Sequence, residues 1–135
     1  MSEFVFSGTY TALVTPLTAG GDSVDHEALE SLVEAQIQGG VSGLVPCGTT
    51  GETPTLGPSE QAAVIERVVK AAAGRVPVVA GTGTFSTQKS IEASQAALKL
   101  GVDGVKALAP HLPPTLQYLD LEGKTRVGAV CVAVC

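Results

Sequence analysis

Gly48-Thr49-Thr50-Gly51-Glu52, directly behind the apolar run Gly43-Leu44-Val45-Pro46-Cys47, is the stretch of this chain whose residue types and spacing could do chemistry. Two adjacent hydroxyls between glycines, on a backbone whose N–H groups can turn outward, make a small receptor for an anion or oxyanion at a strand end. A carboxylate suits that receptor. The same residues also have a purely local reading, in which the glycines turn the chain and the threonines satisfy nearby backbone groups. Cys47 adds a thiol beside the turn. No histidine or basic residue adjoins it in sequence, so it reads as a core residue rather than a nucleophile.

Other chemistries are excluded more simply. Thirteen acidic residues against eight Lys and Arg leave a formal charge of −5 over 135 residues, and no basic run occurs. A nucleic-acid or anionic-membrane surface is therefore not expected, and a small molecule is the natural partner. The three cysteines Cys47, Cys131 and Cys135 show no CxxC spacing, and neither His26 nor His111 lies near a pair that would complete a zinc set. No metal and no cofactor is expected. The longest apolar stretch, residues 127–135, falls far short of the ~20 residues of a membrane span. Residues 1–6 lack the basic start and apolar core of an export signal, which predicts a cytoplasmic protein.

The elements that must position the turn repeat a strand-helix unit. Residues 9–17 are β-branched and apolar and close on Pro16 and Ala19-Gly20-Gly21-Asp22, as a short buried strand does. Asp25 is a helix N-cap, with Val24 and Leu29 spaced as a hydrophobic staple. Leu29, Leu32, Val33 and Ile37 then form one apolar stripe that Gly39-Gly40 ends. A second strand covers residues 41–47, and Gly57, Pro58 and Glu60 open a second helix carrying Val64, Ile65, Val68 and Val69 as far as Gly74. Val76-Pro77-Val78-Val79-Ala80 is a third strand ending in Gly81-Thr82-Gly83-Thr84. A third helix, capped by Ser86 or Thr87, carries Ile91, Ala97, Leu98 and Leu100, and Gly104-Val105-Lys106-Ala107-Leu108 is a fourth strand.

Gly40-Val41-Ser42-Gly43-Leu44 is echoed by Gly101-Val102-Asp103-Gly104-Val105, two units later. Glycine after each helix supplies a left-handed cap, and the next strand starts at once. Apolar strands without alternation imply a parallel sheet covered by helices, either doubly wound or part of a (β/α)8 barrel. A dinucleotide fold would place Gly-x-Gly-x-x-Gly after the first strand, and nothing like it stands there.

Thr11-Ala12-Leu13-Val14-Thr15-Pro16, Gly48-Thr49-Thr50-Gly51-Glu52 and Ala80-Gly81-Thr82-Gly83, in this order, resemble the first half of the dihydrodipicolinate synthase family, also called 4-hydroxy-tetrahydrodipicolinate synthase, over about residues 5–106. The two-threonine form is closer to the synthase than to N-acetylneuraminate lyase and the sugar-acid aldolases, which tend to carry Ser-Thr. The resemblance implies an α/β fold, a partial (β/α)8 TIM barrel with about the first four strands and three helices, and an atypical C-terminal tail. It implies pyruvate as substrate, bound as a Schiff base on a strand-six lysine and condensed with L-aspartate 4-semialdehyde, a lyase step of lysine and diaminopimelate biosynthesis. Thr49 and Thr50 would hold the pyruvate carboxylate through the Thr50 hydroxyl and both backbone N–H groups. The Thr49 hydroxyl would pass protons in a catalytic relay with tyrosines. Full-length members are homo-oligomers, commonly tetramers.

Departures from the pattern begin after strand four. A Pro-Tyr-Tyr-Asn-type segment is expected there, and the chain reads Pro110-His111-Leu112-Pro113-Pro114, with Tyr118 nearby in a different context. Residues 1–110 are accordingly expected to form the N-terminal half of an aldolase-type barrel, with 111–135 as a divergent tail. The family's Schiff-base lysine lies beyond the matching region, so a truncated synthase, inactive alone, is expected. The alternatives are a non-catalytic pseudoenzyme or interaction module of the same family, or a fragment of a pyruvate-dependent aldolase of the N-acetylneuraminate lyase type. Lys106 inside the fourth strand reads either as a replacement amine or as a surface-type residue that snorkels to the sheet end. Phe85 and Lys89 stand where lysine-responsive members carry polar and acidic side chains, which implies weak binding of lysine.

Overall fold

A computed structural model describes residues 7–107, together with the backbone of residues 117–119 and 125–127. The readings made above on residues 110–114, Cys131 and Cys135 lie outside the described residues. Of Tyr118 only the backbone is described.

Strand-helix alternation is realised as β1 (Tyr10–Ala12), α1 (His26–Gln38), β2 (Gly43–Val45), α2 (Pro58–Ala72), β3 (Val79–Gly81), α3 (Thr87–Lys99) and β4 (Gly104–Lys106). Strands β1 and β2 pair in parallel, as do β3 and β4. The two pairs are joined by a parallel bridge from Leu44 to Val78 and by hydrogen bonds from Leu44 N to Pro77 O (3.0 Å) and from Gly81 N to Pro46 O (2.8 Å). The spatial order is therefore 1-2-3-4 with every strand parallel. Right-handed crossovers in that order put all the helices on one face, and α1 packs on α2 and α2 on α3. A doubly wound sheet reverses its strand order at a switch point; this sheet does not, and its course is that of a barrel wall. A fifth and a sixth strand, β5 (Gln117–Leu119) and β6 (Thr125–Val127), pair antiparallel with each other.

The core lies between the sheet and the helix layer. Leu29 and Val33 of α1 and Val64, Ile65, Val68 and Ala72 of α2 meet Leu13, Leu44, Val78 and Ala80 from the strands. Helix α1 starts where the sequence places it, with the Asp25 carboxylate accepting from Ala28 N at 2.9 Å, and Val24 and Leu29 are both buried as a staple requires. Helix α2 starts after Gly57, whose N–H donates to the Glu60 carboxylate at 2.7 Å. Ser86 rather than Thr87 caps α3. Arg67–Glu30 (2.8 Å) and Arg75–Glu34 (2.7 Å) clamp the outer edges of α1 and α2. The hydrogen bond from Arg75 holds the Glu34 carboxyl below its ordinary value.

The strands are shorter than the apolar runs that predict them. Thr9 to Ala12 follow β2, but Pro16 O then accepts from Asp25 N, and Leu17 bridges antiparallel to Val24, so the end of the first run folds back into a small loop. Before β3, Pro77 has no N–H to give and the Val78 N–H is taken by the Asp103 carboxylate at 2.9 Å. The ladder to β4 accordingly opens only at Val79.

Candidate functional site

The C-terminal ends of the four parallel strands carry the candidate residues. Gly48 leaves β2 in an extended conformation, and Thr49–Gly51 form one 3-10 turn closed by hydrogen bonds from Gly51 N to Gly48 O (3.0 Å) and Glu52 N to Thr49 O (3.1 Å). Thr49 and Thr50 are both exposed. Among the described residues, neither their hydroxyls nor their backbone N–H groups have a hydrogen-bond partner. Orphan N–H groups at the start of such a turn, with two hydroxyls beside them, are the donor set a carboxylate needs.

Three side chains that sequence reasoning missed hold this turn and the one after it in place. The buried Thr15 hydroxyl donates to Gly51 O at 2.8 Å, tying the turn to the segment that follows β1. The Thr53 hydroxyl donates to Gly48 O at 3.0 Å, and Gln61 of α2 donates through Nε2 to Thr53 O (3.1 Å) and Leu56 O (2.9 Å). On the other side Gly81 lies so close that a Cβ there would sit 2.9 Å from Gly48 Cα and inside the radius of the Cys47 carbonyl. Thr15 had a visible signal, a polar residue within an apolar run. Gln61 had none.

The turn is also bracketed by two non-glycine residues in the left-handed region, Cys47 (φ 53) and Glu52 (φ 55). Left-handed backbone at a side-chain-bearing residue costs roughly 1–2 kcal/mol, and it persists where the surroundings over-determine it, as functional loops often do. Here the anchors to Thr15, Thr53 and Gln61 are that surrounding.

Cys47 itself is a core residue. It is 2% exposed, its Sγ contacts Gln61 O at 3.8 Å, and burial pushes its thiol up to about 12. The thiolate is the reactive form, so iodoacetamide at mildly alkaline pH is expected to leave Cys47 unmodified until urea is added, read by peptide mapping. The linkage has a definite sign. A thiol with a raised folded pKa contributes stability that is full below its ordinary value of 9.0 and is lost as pH climbs toward about 12. Urea midpoints should therefore fall across that alkaline window and recover in Cys47→Ala.

Beyond the turn, Thr82 donates its N–H to Lys106 O at 2.9 Å and shares a 2.8 Å hydrogen bond with the Ser94 hydroxyl, joining the ends of β3 and β4 to α3. Phe85, in the loop before α3, is 93% exposed. Among the described residues no group of three His, Cys, Asp or Glu is placed to hold a metal ion. No helix there is long and apolar enough to cross a membrane. An open groove of about 660 Å³ between α1 and α2 is lined by Glu30, Glu34, Gln38 and Lys70, and it includes none of the strand-end residues.

Comparison with known proteins gives the chain its relatives. The profile of the dihydrodipicolinate synthetase family matches residues 5–118, continuing past Lys106, where the likeness of the motifs fades. The chain is 66% identical over 111 residues to the 4-hydroxy-tetrahydrodipicolinate synthase of Sorangium cellulosum, which covers 82% of this chain and 37% of that relative. It is 44% identical over 131 residues to the protein of the same name from Endomicrobium trichonymphae, covering 96% of this chain and 44% of that one. Among solved structures it is similar to the chloride-inhibited dihydrodipicolinate synthase from Acinetobacter baumannii complexed with pyruvate, with a TM-score of 0.74 and 41% identity over 78% of this chain and 36% of that chain. The chain thus spans less than half the length of each of these relatives.

Proposed function

The chain belongs to the dihydrodipicolinate synthetase family, and from that premise we propose that its Thr49-Thr50 turn is the ketoacid-gripping edge of a Schiff-base synthase. In the whole protein the reaction is the condensation of pyruvate with L-aspartate 4-semialdehyde, a lyase step in lysine and diaminopimelate biosynthesis. The observation that carries the reading is the pair of unengaged N–H groups and hydroxyls at Thr49 and Thr50, held at the C-terminal ends of parallel strands, where barrel enzymes keep their chemistry.

Each residue has a defined task. The N–H groups of Thr49 and Thr50 and the Thr50 hydroxyl donate to the carboxylate of pyruvate, leaving its carbonyl carbon open to an amine. The Thr49 hydroxyl carries a proton onward, which a hydroxyl does only with a partner on either side. The amine and the tyrosines of that relay belong, by the family resemblance, to strands beyond the four described here. A structurally similar synthase holds pyruvate, consistent with this substrate class.

The 135-residue chain is accordingly expected to bind pyruvate and not to turn it over. Two-dimensional NMR should show pyruvate-dependent shifts centred on the amides of Thr49 to Gly51, and the purified chain given both substrates should form no product. A spectrum that pyruvate leaves unmoved would remove the binding role. Steady product formation would overturn the assignment of the amine to another part of the protein.

A further inference from the structure

Lys106 closes β4 as the Cα partner of Gly81, and its carbonyl accepts the Thr82 N–H. Residues in register on neighbouring parallel strands send their side chains to the same face of the sheet. At Gly81 that face is marked, because a Cβ there would point into the Cys47 carbonyl and the Gly48 Cα. The Lys106 stem therefore leaves the sheet on the side along which the chain passes from Cys47 into Gly48-Thr49-Thr50. The register partner of Lys106 on the intervening strand is Gly81, which has no side chain to fill the lane. Strands lie ~4.8 Å apart, so β4 stands two such gaps from the exit of β2, a span that the four-carbon stem of lysine covers in part and that leaves room for a small ligand between its ammonium and the turn.

The charge on this stem is uncommitted. Lys106 is half-buried, and among the described residues its ammonium has no ion-pair or hydrogen-bond partner. Lys70, Arg67 and Arg75 on the helix layer are each paired with a glutamate; Lys89 and Lys99 of α3, like Lys106, have no ion-pair partner among the described residues, but only Lys106 stands at a strand end. The nearest acid in sequence to the turn, Glu52, is exposed. An unpaired cation beside a lane that opens on two orphan N–H groups favours an anionic ligand there.

We propose that Lys106 is a further binding residue of this site, supplying the positive charge that pairs with a small 2-oxo monocarboxylate held by Thr49 and Thr50. The pairing is electrostatic and forms no covalent bond. It rests on the reading of the Thr49-Thr50 turn as a carboxylate receptor.

Pyruvate titrations of the full 135-residue chain followed by NMR, at low and at moderate salt, separate the two ideas. Lys106→Met is expected to weaken pyruvate about fivefold, the scale of one partly screened charge pair, and to flatten the salt dependence. Lys106→Arg should stay near the parent chain, and Lys106→Gln carries the same test if Lys106→Met loses its dispersed spectrum. Unchanged affinity and salt slope in Lys106→Met, with binding lost in Thr50→Ala, would overturn the role of Lys106 and leave the receptor reading standing. No pyruvate-dependent shift at Thr49 or Thr50 in the parent chain would end both. A borohydride-trapped adduct mapped to Lys106 would replace the ion pair by an imine and overturn the proposal as stated.

Discussion

Gly81→Ala is expected to destabilise the chain by about 3 kcal/mol or more and to abolish pyruvate-dependent shifts at Thr49 and Thr50, because the added methyl meets backbone rather than a movable side chain. Its position would lie within the radius of the Cys47 carbonyl and 2.9 Å from Gly48 Cα. Relief requires β3 to retreat from β2. That retreat breaks the hydrogen bond from Gly81 N to Pro46 O and drags the exit of β2, where the turn begins. Gly48→Ala makes the informative contrast. A Cβ on Gly48 meets only Val45 Cγ1 at 4.0 Å, and its φ of −84 is open to any residue, so the change should stay within about 0.5 kcal/mol. Urea titrations of both variants check the pair. Equal midpoints would mean that β2 and β3 are not in the close contact described.

That contrast shows where the sequence is legible and where it is not. Asp25, Gly57-Pro58 and Ser86 could be read as helix starts because capping is a local reaction between a side chain and the next turn. The echo of residues 40–44 in 101–105 could be read for the same reason. Gly40 (φ 85) and Gly101 (φ 87) are both left-handed residues behind a helix, each launching a strand. The parallel barrel order followed from the unit repeat and the family motifs.

The missed features are non-local. Thr15 finds Gly51 thirty-six residues away, and Gly81 faces Cys47 across a strand gap, so neither leaves a periodic trace. The left-handed backbone at Cys47 and Glu52 leaves none either, since residue type predicts that region mainly through glycine. The strands are shorter than the apolar runs because such runs mark burial, whereas a strand ends where its N–H groups find other partners, as at Val78. The Thr49-Thr50 turn was found by its residue types, but only the fold reveals how firmly it is held.

Leu44→Ala tests whether that hold is inherited from the core. Leu44 is 0% exposed, the middle residue of β2, and it packs with Leu29, Val33, Val64 and Val68. Removing a buried leucine side chain costs about 2–5 kcal/mol through lost burial and the cavity left behind. The upper part of that range is expected here, because a strand flanked on both sides cannot collapse into the space. Leu44→Met keeps the volume and should cost under about 1.5 kcal/mol. Val14→Ala, at a half-exposed position, should be close to neutral. Hydrogen exchange then discriminates further. If the turn is carried by β2, the amides of Gly51 and Glu52 should lose protection in Leu44→Ala in step with those of β2. If its anchors to Thr15 and Gln61 suffice, their protection should outlast that of the strand. The first outcome is expected, because Gly48, which joins the strand to the turn, has its carbonyl held by the Thr53 hydroxyl just beyond the turn, so a shift of β2 is passed directly to both ends of the turn.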